Sequence, residues 1–393
     1  MARARPGTPT EWSHKSPVDT TMLLIIAALT VAGIVAVFSA SYPSTSRPLE
    51  DGTPGNAYRL LVTQSLHAAL GALLCLLCSY IHPRRFHDWA LRGLIAAVFL
   101  MLLVFTPLGV EMGGTRGWLR LGPVMFQPCE FAKIALIVFL ARCISAAKEW
   151  PTRQVYTYAA AMGTTGLMCG ICLVQNDLGS AAVMFCFGLT AIFFAGLRWW
   201  AVALTWGLAS VLGLGLAWVE PYRWRRITAF LHPTHDTDDT AYQIIRMLIA
   251  CARGGLIGPG LGLSREKWLG LPARHTDAIF CVIASELGFI GAATLVLVFL
   301  VFMYRGVALA RLQPDGFSSI LVASLASCIA LQAFVNMGVA TGVLPCTGIT
   351  LPFISAGGSS LLMTLAASGI ILSLSRQARA RSKEAQSECQ QAA

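Results

Sequence analysis

Charged residues are scarce in this sequence. Asp, Glu, Lys and Arg make up 12% of its 393 residues, whereas they make up about a quarter of a typical soluble domain. Hydrophobic residues reach 56% and the mean hydropathy is +0.66. This balance excludes an ordinary soluble protein and predicts an integral membrane protein. The net charge of +10 predicts no nucleic-acid partner. In a membrane protein the role of each basic residue depends on which side of the bilayer it lies.

Recognisable catalytic and metal-binding motifs are also missing. The sequence has no Ser/His/Asp triad pattern, zinc motif, Walker motif or dinucleotide motif. Cys75 and Cys78 form a CxxC, but it lies in an apolar run without a second pair or a nearby His, so no metal site is expected there. Most of the twelve cysteines lie in apolar runs, where a thiol behaves as a small hydrophobe. No disulfide framework is indicated.

Long apolar runs dominate the chain. Crossing roughly 30 Å of hydrocarbon takes about 20 helical residues. Because the first run follows a long polar stretch and lacks a small-residue cleavage site, it predicts an uncleaved span. The sequence thus predicts an all-α polytopic membrane protein: a single membrane domain (21–375) of ten transmembrane helices, a tail at each end (1–20 and 376–393) and a large extracytoplasmic loop (220–277) between spans 7 and 8. The predicted spans are 21–40, 60–81, 91–108, 131–145, 156–174, 178–197, 199–219, 278–304, 317–343 and 354–375.

The distribution of Lys and Arg predicts the orientation of these spans. With the N-terminus inside, the cytoplasmic segments hold sixteen of the 29 basic residues, and the short outer turns at 175–177 and 344–353 hold none. An even number of spans then places both termini in the cytoplasm. The outer segment 116–133 and the loop 220–274 carry eleven basic residues between them. Because long translocated loops escape the charge rule, these cations are free to bind an anionic partner.

Acidic residues near the predicted outer membrane surface are the clearest candidates for chemistry, because a carboxylate at that depth is usually functional. Asp277 and Glu286 open the eighth span, and their nine-residue separation corresponds to about 13.5 Å along a helix. They must therefore have different roles. A helix N-cap is the structural alternative for Asp277. A cap does not, however, require the further polar residues Arg274 and His275 beside it.

Two polar segments surround these carboxylates. Segment 113–133 is rich in Gly and Pro, and we expect an interfacial or re-entrant piece that does not cross. Its Arg116 and Trp118 are equally well explained as interface anchors, and Lys133 as a snorkelling side chain. The sharper hypothesis is that Lys133 and the loop arginines hold a phosphate-bearing lipid headgroup. In the loop, residues 242–252 have the apolar spacing of an amphipathic helix that the following glycines end. These observations leave both a transporter and an enzyme open.

Several long motifs occur in the order typical of one family. They are RGWLRLGPVMFQPCEFAK (116–133), YRWRRITAFLHP (222–233), AYQ (241–243), GLGLSREKWLGLPARHTDAIF (260–280), ELGFIG (286–291) and GVLPCTGITLPFISAGGSS (342–360). On these motifs the chain resembles the SEDS family (shape, elongation, division and sporulation), and is most similar to its FtsW and SpoVE members. The resemblance implies a ten-span peptidoglycan glycosyltransferase that polymerises lipid II on the outer face of the bacterial cytoplasmic membrane during cell division. It also implies a class B penicillin-binding protein and other divisome proteins as partners.

The resemblance also implies roles for individual residues. The essential acid of the family's HTD motif falls on Asp277, which we expect to be the general base. We expect substrate contacts from eleven further residues: Arg116, Trp118, Glu130, Lys133, Asp177, Arg226, Gln243, Arg253, His275, Glu286 and Ser359. The chain departs from the family motifs at Cys129, Asn176, Ser285 and Ala356, which puts detailed substrate contacts in doubt more than the activity.

The expected reaction transfers a growing glycan to the 4-hydroxyl of an incoming lipid II. Asp277 would remove the hydroxyl proton, and Arg116, Lys133, Arg226 and Arg253 are candidates to stabilise the leaving pyrophosphate. No dedicated metal site is predicted; the one cofactor considered is a divalent cation, Mg²⁺ or Mn²⁺, that bridges the pyrophosphate and one carboxylate. A lipid II flippase and a non-catalytic divisome scaffold are the alternative functions.

Overall fold

A computed structural model of the protein describes residues 16–45, 56, 58–122, 124–149, 154–196, 199–219, 221–232 and 239–392. The first fifteen residues of the predicted N-terminal tail and residues 220 and 233–238 of the predicted loop lie outside the described residues. Within that part, the chain forms three strands and twelve helices. The strands are β1 (Gly109–Met112), β2 (Thr115–Leu121) and β3 (Val124–Phe126). The helices are α1 (Thr20–Thr45), α2 (Arg59–Ser79), α3 (Pro83–Leu103), α4 (Pro128–Glu149), α5 (Gln154–Val174), α6 (Leu178–Phe194), α7 (Trp199–Val219), α8 (Pro221–Leu231), α9 (Asp239–Arg253), α10 (Ile279–Arg311), α11 (Gly316–Ala340) and α12 (Gly358–Ala392).

The long helices account for the apolar runs of the sequence. Each predicted span overlaps one helix, from α1 to α7 and from α10 to α12. Seven of the described helices are long and apolar enough to cross a membrane, and α6 is a shorter apolar helix. The prediction of a helical integral membrane protein is therefore confirmed. Some boundaries differ: α3 begins earlier than predicted because Pro83 starts it and the His82 ring accepts a hydrogen bond from the Arg84 amide (3.1 Å).

Segment 113–133, for which we predicted an interfacial or re-entrant piece that does not cross, makes the fold not purely helical. Most of it joins residues 109–112 in an antiparallel sheet of order β1-β2-β3, in which Val110 faces Trp118 and Leu119 faces Phe126. Gly113 and Gly114 make the tight β1–β2 turn with φ of 58° and 76°. The remainder of the segment is the start of α4, which begins at Pro128.

Two buried helices form the centre of the fold. Most of α11 and of the first half of α12 is buried, with α10 packed along α11 and α2 along α12. Helices α1, α2 and α3 expose large apolar side chains, as expected where a helix faces lipid instead of water. Examples are Leu24, Val31, Leu66, Leu73, Ile95 and Phe99.

The connection between α11 and α12, residues 341–357, is anchored in the core; we call it the outer loop because the sequence predicts it on the outer side. Phe353 adopts a left-handed backbone (φ 66°), and its ring lies between Phe302 and Phe299, with centroid distances of 5.9 and 6.5 Å. A Cβ on Gly33 of α1 would lie 2.3 Å from the Phe353 carbonyl oxygen. Only glycine therefore allows α1 to approach the outer loop this closely.

The predicted loop 220–277 contains the amphipathic helix expected from its apolar spacing. That helix is α9, and the glycines after it do end the helix, since Gly255, Gly258, Gly260 and Gly262 all have positive φ. The chain then runs without regular helix to Ala278, immediately before α10. Helix α10 is itself broken at Gly288, whose backbone is not helical (φ 67°, ψ −166°).

Candidate active site

Asp277 lies on a short irregular segment, residues 271–278, that we call the carboxylate segment. The outer loop fixes the backbone of this segment on one side. The Ser355 hydroxyl donates to the Thr276 carbonyl (2.7 Å), and the Ala356 amide donates to the His275 carbonyl (2.8 Å). Ala356 departs from the family motif, but the backbone contact made at this position does not depend on the side chain.

Asn336 fixes the same segment from inside the helix bundle. Its Nδ2 donates both to the Asp277 carbonyl (3.1 Å) and to the Ile349 carbonyl (2.7 Å) of the outer loop. One amide group therefore joins α11, the carboxylate segment and the outer loop. Because the side chain is 1% exposed, loss of these bonds would leave buried carbonyls without partners.

The Asp277 carboxylate does not serve as a helix cap. Ala278 is the residue that precedes α10, and no side-chain hydrogen bond caps this helix. The carboxylate points instead towards the outer loop, where its Oδ2 lies 3.9 Å from the position that a Cβ on Gly348 would take. Although Asp277 is partly exposed, the dense protein around it raises its pKa to about 6, and the positive charge of Arg226 opposes that rise. A carboxyl group with this pKa is ionised near neutral pH and can accept a proton.

Unpaired buried polar atoms lie close to Asp277 in the chain or in space. Among the described residues, His275 Nδ1, Asn336 Oδ1 and Thr347 Oγ1 are buried without a hydrogen-bond partner. Burial and the neighbouring Arg274 charge lower the pKa of His275, which favours the neutral ring at pH 7. Since buried polar groups are almost always hydrogen-bonded, this surplus suits a ligand rich in hydroxyl groups.

Glu130 and Lys133 form a buried ion pair inside the bundle. Lys133 Nζ donates to Glu130 Oε1 (2.8 Å) and to Gln332 Oε1 (2.9 Å), and Gln332 in turn donates to the Thr350 carbonyl of the outer loop (3.1 Å). Lys133 is 5% exposed, so it does not snorkel. A cavity of about 30 Å³ adjoins the pair. That volume holds one or two water molecules but no sugar ring.

The turn 175–177 and the sheet form another side of the candidate site. Asn176 adopts a left-handed backbone (φ 60°) and donates through Nδ2 to the Gly114 carbonyl (3.0 Å). Asp177 caps α6 by accepting from the Ser180 amide (2.9 Å) and hydroxyl (2.7 Å), so its carboxylate is occupied by a structural role. A Cβ on Gly179 would lie 2.1 Å from the Thr347 carbonyl oxygen. The start of α6 therefore rests directly on the outer loop.

Arg116, Trp118 and Ser359 link the sheet to its neighbours. Arg116 is exposed, and its guanidinium donates to two carbonyls just after α3, those of Phe105 (3.4 Å) and Thr106 (3.3 Å). Trp118 is partly buried in β2. Ser359 Oγ accepts from the Gln127 amide (3.1 Å), which joins the start of α12 to the end of the sheet.

The remaining basic and acidic candidates belong to ion pairs of the 220–277 connection. Arg253 pairs with the buried Glu266. Glu286 is 2% exposed and faces the Lys267 ammonium at 2.8 Å, so it is turned away from any open surface. We therefore assign Glu286 a different role below. Gln243 is partly buried on α9.

The structure thus brings His275, Asp277 and Arg226 together with the outer loop, and it places Glu130, Lys133 and Glu286 in buried pairs. The sequence reasoning missed Asn336, Gln332, Thr347 and Ser355. Asn336 and Gln332 do leave a signal, because they are amides four residues apart, on one face of an otherwise apolar span. No group of three or more His, Cys, Asp or Glu in the described ranges is arranged to hold a metal ion.

Comparison with known proteins identifies the family. A family model described as "Cell cycle protein", for FtsW, RodA and SpoVE, matches residues 19–380. The chain belongs to the FtsW/RodA/SpoVE family. It is 36% identical to stage V sporulation protein E of Bacillus subtilis, over 93% of this chain and 99% of that protein. It is 38% identical to the probable peptidoglycan glycosyltransferase FtsW of Geobacter metallireducens, over 91% of this chain and 94% of that protein.

Solved structures agree with this family assignment. A chain of a peptidoglycan synthase complex that coordinates polymerization and crosslinking matches with a TM-score of 0.75 and 30% identity, covering 92% of this chain and 98% of that one. The rod shape determining protein RodA of Thermus thermophilus matches with a TM-score of 0.67 and 30% identity, covering 91% of this chain and 97% of that one. The family resemblance read from the motifs is confirmed.

Proposed function

We infer that the protein is a peptidoglycan glycosyltransferase that polymerises lipid II in cell division. Family membership along nearly the whole chain supports this function, as do relatives named FtsW and SpoVE. The observation that carries the chemistry is Asp277, a carboxyl group whose pKa burial raises to about 6, beside Arg226 and three unpaired polar atoms.

The proposed topology has ten spans, with both termini in the cytoplasm and Asp277 at the extracytoplasmic surface. Ten helices overlap the predicted spans, and the Lys and Arg distribution favours this orientation. Under it the outer loop, the sheet and the 220–277 connection all lie on the side where glycan strands are made.

Asp277 acts as the general base in the proposed mechanism. Its carboxylate accepts the proton of the 4-hydroxyl of the incoming lipid II sugar while that oxygen attacks the anomeric carbon of the growing chain. The new glycosidic bond forms as the bond to the undecaprenyl pyrophosphate oxygen breaks, and the leaving group takes the bonding electrons. Attack from the opposite face inverts the anomeric centre from α to β. A positioned base typically contributes about 10²- to 10⁴-fold in rate.

Arg226 is the best-placed cation for the pyrophosphate, because its charge already acts on Asp277. Arg253 is a second candidate, since its side chain is 58% exposed despite its pairing with Glu266. Lys133 is fully committed to Glu130 and Gln332, so we propose that it shapes the wall below the outer loop. A divalent cation, Mg²⁺ or Mn²⁺, would bind the oxygens of the pyrophosphate and shield their charge; loss of polymerisation on chelation, restored by either ion, is the test of that requirement.

The test of the function is polymerisation of lipid II by purified protein. We expect Asp277→Asn to make almost no glycan while it folds normally, and Asp315→Asn, a change at the distant cap of α11, to retain wild-type activity. Lipid II supplied on the outer face alone separates a polymerase from a flippase, because only the polymerase makes glycan from it. Near wild-type product from Asp277→Asn would exclude the proposed base.

A class B penicillin-binding protein is the proposed partner, acting with other divisome proteins. The support is that a solved structural relative comes from a complex that couples polymerization to crosslinking. Co-purification of the transpeptidase with this protein, together with a higher polymerisation rate in the complex, would be the expected result. A transpeptidase that neither binds nor stimulates would exclude the pairing.

A further inference from the structure

Three side chains from three different elements meet in a buried cluster that the catalytic scheme does not use. Lys267 Nζ donates to Glu286 Oε1 (2.8 Å) and to Ser39 Oγ (3.0 Å), and Ser39 Oγ donates to the same Glu286 oxygen (2.6 Å). Lys267 and Glu286 are each 2% exposed. The cluster joins α1, the 220–277 connection and α10.

The cluster lies beside the break in α10. Around Gly288 the helix backbone pairs with residues 255–260 instead of with itself: the Phe289 amide donates to the Gly255 carbonyl (2.8 Å), and the Gly260 amide donates to the Glu286 carbonyl (2.9 Å). A Cβ on Gly258 would lie 2.2 Å from the Glu286 carbonyl oxygen. The connection therefore packs against the break in α10 and returns past Lys267 towards Asp277.

That return path leads directly to the carboxylate segment. The Arg274 guanidinium donates to the Lys267 carbonyl, so the segment is tied to the residue that Glu286 holds. The outer loop holds the next two residues, His275 and Thr276. Asp277 thus follows directly after residues that are held by the Glu286–Lys267 pair, through Arg274, and by the outer loop, through His275 and Thr276.

A buried ion pair is an unusual choice for stability alone. Apolar residues of equal volume are often as stabilising or more so, whereas loss of one partner leaves an uncompensated charge. The pair instead holds the segment that carries Lys267 in one position. We propose that Glu286 is a positioning residue that, through Lys267, fixes the carboxylate segment and thereby the depth and hydration of the Asp277 carboxyl group. This inference rests on the proposed function for its catalytic consequence.

The charged and titratable groups that face Asp277 determine the direction of the expected effect. Arg226 acts on it from α8, and Cys346 is its neighbour on the outer loop. Arg274 and His275 lie on its own segment. Burial is the largest influence on the Asp277 pKa and raises it to about 6, whereas Arg226 lowers it. A loosened segment admits water and weakens the burial effect, so the pKa should fall towards the ordinary value of 3.8.

The experiment measures the protonation of Asp277 directly. A hydrophobic carbodiimide converts a protonated buried carboxyl group to a stable N-acylurea, and mass spectrometry of the peptide gives the labelled fraction at each pH. We expect half-maximal labelling near pH 6 in the wild type and at least about one pH unit lower in Glu286→Gln. The matched control is Asp19→Asn, because Asp19 is also buried and also joins α1 to α10, through Arg305 (2.7 Å). Its labelling midpoint should stay at the wild-type value.

Two further variants keep the test decisive if Glu286→Gln does not fold. Ser39→Ala removes only the hydroxyl between the charges and should give a smaller shift in the same direction. The exchanged pair Lys267→Glu/Glu286→Lys should restore the wild-type midpoint, because the Ser39 hydroxyl can both donate and accept. An unchanged midpoint in folded Glu286→Gln or Ser39→Ala, or an equal shift in Asp19→Asn, would overturn the proposal.

Polymerisation assays then connect position to catalysis. The wild type should be about tenfold less active at pH 5 than at pH 7, because a base with a pKa near 6 is about nine-tenths protonated at pH 5. Glu286→Gln should have a lower maximal rate and a smaller loss between these two pH values. If the wild type makes no glycan, the proposed function fails, yet the labelling midpoints still decide whether Glu286 positions Asp277.

Discussion

Asp277→Asn should make the protein more stable while it abolishes activity. The pKa of Asp277 rises from 3.8 to about 6 in the folded protein because burial disfavours the charged form. Each pKa unit corresponds to about 1.4 kcal/mol, so ionised Asp277 destabilises the fold by at most about 3 kcal/mol. Since Asp277 is partly exposed, solvent screening reduces this to about 1–2 kcal/mol.

The pH dependence of the stability difference identifies its cause. Below the unfolded-state pKa of 3.8 the carboxyl group is protonated in both states, so the penalty is absent; it grows as the pH rises and is complete above about pH 6. Thermal unfolding in detergent should therefore show a higher midpoint for Asp277→Asn than for the wild type at pH 7.5, and nearly equal midpoints at pH 4. A variant that is less stable at pH 7.5, or a difference independent of pH, would refute the argument.

Three other predictions concern two elements beside the site and one distant helix cap. Gly179→Ala places a methyl group against an outer-loop carbonyl (2.1 Å) and should reduce polymerisation at least about tenfold, whereas Gly166→Ala, where a Cβ meets open space, should not. Lys133→Met leaves the buried Glu130 charge unpaired and should cost about 3–5 kcal/mol in unfolding measurements, and Glu130→Gln in addition should recover most of that loss. Asp315→Ala removes the α11 cap, so it should lower stability by about 1 kcal/mol and leave polymerisation unchanged.

Helix positions were largely predictable because the hydrophobicity of one stretch of sequence is enough to predict a membrane-spanning helix. An apolar run either suffices to span the bilayer or does not, and α1, α2 and α5 lie close to their predicted ranges. The small sheet was not predictable in the same way. A strand such as β2 has no local signal apart from weak alternation, and its stability comes from partners on both sides.

The candidate site was predictable in its central residue but not in its supports. Asp277 stands out as an acid at a membrane boundary, and its motif confirms the family. Its backbone partners Ser355 and Asn336 lie 79 and 59 residues away from the groups they bind, and contacts at such separations leave no periodicity in a sequence. Glu286 was expected to contact substrate because its charge was visible, whereas its partner Lys267 comes from an irregular segment whose path no pattern predicts.

Helices α1 and α10 are fastened to each other near both ends. At one end the Ser39 hydroxyl binds Glu286, and at the other the Asp19 carboxylate binds Arg305. Tilting or sliding of α1 against α10 would break at least one of these two polar contacts, so we expect the two helices to move together. Motion that admits substrate and releases product should then arise in the elements around this pair of helices. Spin labels on α1 and α10 should accordingly keep a narrow distance distribution throughout turnover.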